Sequence, residues 1–187
     1  MSKKPDRAVA ERLKTEAQAL VTAGKLSAAL EAYRRATDAL PSDAWLHHAA
    51  GELARKLKQD ELAATYYRKS GAGFVATGFT RYALPALRSS WLLYRSALPA
   101  NAETFRELTQ ELASVQRELG FTTDARTTEE LGHAALGGLA PSEHAAKDSV
   151  PPRESLARVL ETPVAPKPSG APGFRRWLER VRRALSA

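Results

Sequence analysis

Apolar residues recur at helical spacing almost from the N-terminus of the chain. Val9, Leu13, Ala17, Leu20 and Val21 fall on one face of a helix predicted over 7–24, with Gly24 placed to end it. A second helix is expected from about Ser27 to Leu40, with Leu30, Tyr33, Ala36, Thr37 and Leu40 on its apolar side. Pro41 stops that run, and Ser42 or Asp43 can cap a third helix over 44–57. A fourth starts near Asp60, and Glu61 to Thr77 reads as one long helix weakened by Gly71 and Gly73 and broken at Gly78. A further helix is expected to run to Leu98, either starting at Pro85 or kinked by it. Phe105, Leu108 and Leu112 continue the helical pattern, Gly120 interrupts it, and a last helix lies near 123–136. Ala, Leu, Arg and Glu dominate and β-branched residues are sparse, which favours helix over strand, and the loops are short enough to force antiparallel hairpins.

The pattern also repeats. A shift of 34 residues carries Ala17 onto Gly51, Ala29 onto Ala63 and Tyr33 onto Tyr67. A shift of 58 carries Tyr33 onto Trp91 and Pro41 onto Pro99, so an irregular insertion separates the second and third units. Small residues at helix crossings let two backbones approach closely, and an aromatic then fills the gap to the next hairpin. A single hairpin leaves an apolar face uncovered, so such units stack.

The period of 34, the Ala17/Gly51 crossings, the Tyr33/Tyr67 aromatics and the closing Pro41 resemble the tetratricopeptide repeat. The likeness covers roughly 7–137. It is best in the first unit, and the first-helix Trp of the family is replaced by Leu13, His47 and Phe105. The resemblance implies an all-α fold of antiparallel hairpins stacked as a short solenoid. It also implies a concave groove lined by the first helix of each pair. Carried over, that register puts Glu11, Lys14, Gln18 and Val21 in the groove, followed by Trp45, His48, Glu52, Arg55 and Lys56. Trp45 is either a binding anchor or a filler between hairpins. A clamp for a peptide's terminal carboxylate would use Lys14. Gln18 and Ala49 stand where that clamp has Asn, which counts against it.

Composition changes abruptly after Leu136. Gly138 to Pro172 holds seven of the chain's eleven prolines and no aromatic residue. Such a stretch cannot bury enough surface to offset its ordering entropy, so 138–172 is expected to be a flexible linker, as are residues 1–6 at the other end. Within the linker, Leu156, Val159 and Leu160 sit at helical spacing in a segment that could turn transiently or serve as a short recognition helix. Residues 173–187 then form a basic amphipathic helix. Phe174, Trp177, Leu178, Val181 and Leu185 make one apolar stripe, flanked by Arg175, Arg176, Arg180, Arg182 and Arg183. The tail accounts for +4 of the chain's net charge of +7. A helix this short is marginal alone in water and is expected to fold against a target. The candidates are a groove on a partner protein, an anionic membrane surface, the repeat domain itself and nucleic acid. The nearly balanced body places nucleic acid last.

Catalysis finds little footing. There is no cysteine, and adjacent His47 and His48 point about 100° apart on a helix, so one metal cannot take both. Gly71, Gly73 and Gly78 follow a helix, not a strand, and no Lys-Ser or Lys-Thr pair trails them, which excludes a phosphate loop. Ser142, Glu143 and His144 fall in the linker, where no triad would hold its geometry. The expectation is therefore a non-enzymatic, cytoplasmic scaffold or adaptor with protein partners, no cofactor and no small-molecule substrate. Two alternatives stand beside it: a peripheral protein tethered to membranes by residues 174–187, and a secretion-type chaperone of the same repeat class.

Overall fold

The computed structural model describes residues 6–137, and among them every regular element is a helix. In chain order these are α1 (Arg7–Thr22), α2 (Leu26–Ala39), α3 (Ala44–Lys56), α4 (Asp60–Ala76), α5 (Thr80–Ser96), α6 (Ala102–Glu118) and α7 (Thr122–Leu136). The expected linker at 138–172 and tail helix at 173–187 lie outside the described residues.

Local chemistry sets the helix ends. The Asp6 carboxylate accepts from the Val9 N–H at 3.0 Å and starts α1. The Asp43 carboxylate accepts from Trp45 and Leu46 N–H at 2.9 and 3.2 Å and starts α3. Each supplies an acceptor for a first-turn donor that has no partner inside its helix. At the C-terminus of α1, Gly24 N–H bonds the Val21 carbonyl and Lys25 N–H bonds that of Leu20. The same crossed pair recurs after α3 (Lys58 to Arg55, Gln59 to Ala54), after α4 at Gly78–Phe79 and after α6 at Gly120–Phe121. This turn needs a left-handed residue, and glycine occupies three of the four positions. The fourth is Lys58, at φ 60°. Its Cβ is crowded in that conformation, at a cost of about 1–2 kcal/mol. Lys58→Gly is therefore expected to raise unfolding stability by about 0.5–1 kcal/mol, after allowing for glycine's looser unfolded chain. Urea midpoints of the two proteins check it.

α5 begins at Thr80, five residues before Pro85, so the proline neither starts the helix nor ends it. Phe79, next to the left-handed Gly78, occupies the N-cap, and Pro85 stands on the exposed side of the second turn. Pro85 has no N–H to give the carbonyl of Arg81, one turn back on that same side.

The principal packing runs between consecutive helices, from α1 against α2 through to α6 against α7. Small residues sit where helices press closest. A Cβ on Gly51 of α3 would lie 3.0 Å from the Tyr67 ring of α4, and one on Gly71 of α4 would lie 2.5 Å from Leu87 of α5. A continuous core joins Phe74 on α4, Leu87, Trp91 and Tyr94 on α5, and Phe105, Leu108 and Leu112 on α6. Two buried polar side chains are bonded across it. Ser90 Oγ donates to the Ala64 carbonyl at 2.8 Å, and Trp91 Nε1 donates to Thr109 Oγ1 at 2.9 Å. Arg68 ties α4 to α6 by donating to Glu107 at 2.8 Å and Glu111 at 2.5 Å.

Candidate functional site

The predicted groove residues fall on α1 and α3 at equivalent steps: Glu11, Lys14, Gln18 and Val21 on the first, Trp45, His48, Glu52 and Arg55 on the second. Such spacing puts each set along one helix face. Lys14, Gln18, Val21, Trp45, His48 and Glu52 are half-buried, and Glu11, Arg55 and Lys56 are exposed. Lys14 pairs with Glu11 at 3.2 Å, a surface contact worth little to stability.

Gln18 and Glu52, 34 residues apart, each meet a buried tyrosine hydroxyl on the following helix, Gln18 as donor and Glu52 as acceptor. Gln18 is the hydrogen-bond partner of the buried Tyr33 hydroxyl on α2, and burial pushes that phenol up to about 12. Glu52 accepts from the Tyr67 hydroxyl at 2.5 Å, and burial together with that bond raises the Tyr67 phenol as well. Both tyrosines therefore stay neutral across physiological pH, and Tyr67 donates to Glu52. The His48 ring lies 5.8 Å from the Tyr67 ring. Glu52 and His48 thus combine partial exposure with a fixed inward contact, which limits their rotamers and presents their outer edges in a defined place.

Trp45 packs edge-on against Phe74 at 4.6 Å and against Tyr82 at 5.2 Å, so the indole bridges the start of α3, the end of α4 and the start of α5. Phe79 extends the group, its ring 6.3 Å from that of Tyr82. Phe79 and Tyr82 are 44% and 51% exposed, so the packed tryptophan opens onto a surface aromatic patch. Sequence reading left Trp45 open between binding anchor and filler, and passed over Phe79 and Tyr82. Their only signal was two aromatics just after Gly78, in a stretch whose helix start was ambiguous.

Among the described residues, no hydrogen bond or ion pair joins Lys14 or Gln18 to the α3 set. The predicted tail residues, from Phe174 to Leu185, lie outside the described region.

His47 and His48 share one cause for their shifts. Burial lowers both below the usual histidine value of 6.5, His47 with its Nε2 2.9 Å from the Pro41 carbonyl and His48 against Tyr67. The unfolded chain therefore takes up protons near pH 6.5 before the folded chain does. Stability is full above that pH and falls as pH drops below it. The melting temperature is expected to decline between pH 7 and pH 5, and a His47→Gln/His48→Gln protein should show a flatter decline over that window.

An open cleft of about 230 Å³ lies between α2, the α3–α4 turn and the start of α4, bordered by Leu30, Glu31, Arg34, Leu57, Leu62 and Tyr66. That is below the roughly 300–1,000 Å³ typical of small-molecule pockets. Its charges are spoken for, since Arg34 donates to Glu31 at 2.6 and 2.8 Å. No group of three His, Asp or Glu among the described residues is arranged to hold a metal ion. No helix among them is long and apolar enough to cross a membrane. No family model matches the chain, and no curated protein matches it at significant similarity.

Proposed function

We propose that residues 7–137 are a short solenoid of degenerate tetratricopeptide-like hairpins that binds a protein partner along the α1/α3 face. In this reading 138–172 is a linker, and the basic helix of 173–187 engages a second target, which makes the chain an adaptor and not an enzyme. The observation that carries the proposal is the recurrence, at the 34-residue step, of a polar groove residue set against a buried tyrosine and of the turn that follows the first helix. Gln18 with Tyr33 becomes Glu52 with Tyr67, and the left-handed turn at Gly24 becomes the one at Lys58. Equivalent contacts at a fixed step are what stacked identical units produce, and a stack of hairpins presents its first helices side by side. Lys14, Gln18, Trp45, His48, Glu52 and Arg55 would then offer a mixed aromatic and charged strip to an extended or helical ligand.

Affinity capture with the full chain and with a chain ending at Leu136 tests the adaptor. Two separable sets of partners are expected, one kept and one lost on shortening. A single set that vanishes entirely when the tail is removed would overturn the role given to the helical body. Replacing Lys14, His48 and Arg55 together by Ala should weaken the retained set without altering helicity.

A further inference from the structure

The outward face of α5 carries a charge pattern found on no other described helix. From Leu62 to Ala102 the sequence holds five cations, Arg68, Lys69, Arg81, Arg88 and Arg95, and no Asp or Glu. Arg68 is taken up by Glu107 and Glu111. Arg81, Arg88 and Arg95 are exposed, and no described carboxylate pairs with any of them. Arg95 lies 5.3 Å over the Trp91 ring, which holds its guanidinium in place without neutralising it. Elsewhere Arg34, Arg106, Arg117 and Arg126 each pair with a carboxylate close by.

The three arginines are seven residues apart. On a helix this sets them about 10.5 Å from one to the next in a nearly straight row. Pro85 and Leu92 run beside the row, and Tyr82 and Ser89 run beside them, all within an arc of about 140°. Tyr82 and Leu92 are 51% and 52% exposed. The face is therefore a cationic row next to an apolar one, both with a heptad repeat.

We propose that this face docks an acidic amphipathic α-helix of a partner protein, with carboxylates at heptad spacing opposite Arg81, Arg88 and Arg95 and apolar residues against Leu92 and Tyr82. A partner helix packed alongside α5 repeats with the same rise and the same seven-residue step, so one register satisfies all three arginines. Two other anionic targets fit less well. Residues 6–137 carry seventeen Lys and Arg against sixteen Asp and Glu, so the body lacks the long-range positive field that draws proteins to nucleic acid or anionic bilayers. The aromatic and aliphatic side chains of the face are also half covered, which leaves little to insert among lipid chains. Pairing with a helix needs only the local row. The inference does not depend on the α1/α3 groove, and either can fail alone.

Fluorescence anisotropy with the full chain decides it. The first probe is a labelled three-heptad peptide with Glu at one heptad position and Leu beside it. The second has the same composition, with Glu distributed around the helix. Anionic vesicles and a duplex oligonucleotide are the other arms. The in-register peptide is expected to bind at least about tenfold tighter than its isomer. Arg81→Glu/Arg88→Glu, which leaves Arg95 on Trp91, should remove that preference with the circular-dichroism melt unchanged. Replacing the five arginines of 174–187 by Gln should leave the preference intact, because it belongs to α5. Equal binding of the two peptides would overturn the proposal. So would a preference that survives the double reversal, or one lost with the tail arginines. Binding to vesicles or duplex that the double reversal abolishes, without peptide discrimination, would assign the face to that target instead.

Discussion

Replacing Tyr67 by Ala is expected to destabilise the protein by about 3–5 kcal/mol, enough to unfold a marginal domain at physiological temperature. The ring is 1% exposed and lies over Gly51, where even a methyl group would come within 3.0 Å of it. Truncation therefore removes a large apolar contact and leaves a void that helix backbones this close together cannot readily fill. The hydroxyl contributes separately, because it donates to Glu52 at 2.5 Å. Tyr67→Phe keeps the ring and deletes only that bond. Glu52 is half-buried and can turn to water, so the expected loss is about 1.5 kcal/mol, the lower end for a bond to a charged acceptor. Denaturant unfolding of both variants checks the ordering. Equal losses would mean that the hydrogen bond, and not the ring, holds α3 to α4. Glu52→Gln in the Tyr67→Phe background should then add little, since the pair's coupling is already gone.

Most helix ends were legible from the chain because they rest on local rules. Gly24, Asp43, Gly78 and Gly120 act within a few residues of themselves, and each ends or starts a helix where the pattern placed it. Tyr33 and Tyr67 were legible as a pair because the step between them is fixed, although their partners Gln18 and Glu52 read only as groove positions. The start of α5 was not legible. Pro85 is a strong local signal against helix, and it was outweighed by the turn bonds at Gly78–Phe79 and by packing of Ala83, Ala86 and Leu87 into the core. The surface that depends on that start went unread with it. Once Thr80 begins the helix, Arg81, Arg88 and Arg95 fall into one row, and Tyr82 comes within reach of Trp45. Lys58 at a left-handed position was equally hidden, because only the equivalence with Gly24 reveals what the turn requires.

A second large effect is expected where α4 meets α5. Leu87 is 2% exposed, and Leu87→Ala should cost about 2–5 kcal/mol for the lost burial and the cavity it leaves. On propensity alone, Gly71→Ala in the body of α4 should stabilise by about 0.5–1 kcal/mol. Here the sign is reversed. The new Cβ would stand 2.5 Å from both Cγ and Cδ2 of Leu87, and Cγ is a branch point fixed by its own helix, so the clash cannot be relieved by rotating a methyl group away. Overpacking of this kind costs about 1–3 kcal/mol and exceeds the propensity gain. The two substitutions are complementary in volume. In the double variant the methyl group added by Gly71→Ala occupies part of the space vacated by Leu87, and the gain at the glycine is restored. The double variant should therefore lose less than the sum of the single losses by at least about 1 kcal/mol. A calorimetric double-mutant cycle measures that coupling. Additive losses would mean that α4 and α5 move apart when Cβ is added, and that Gly71 is not what sets their close approach.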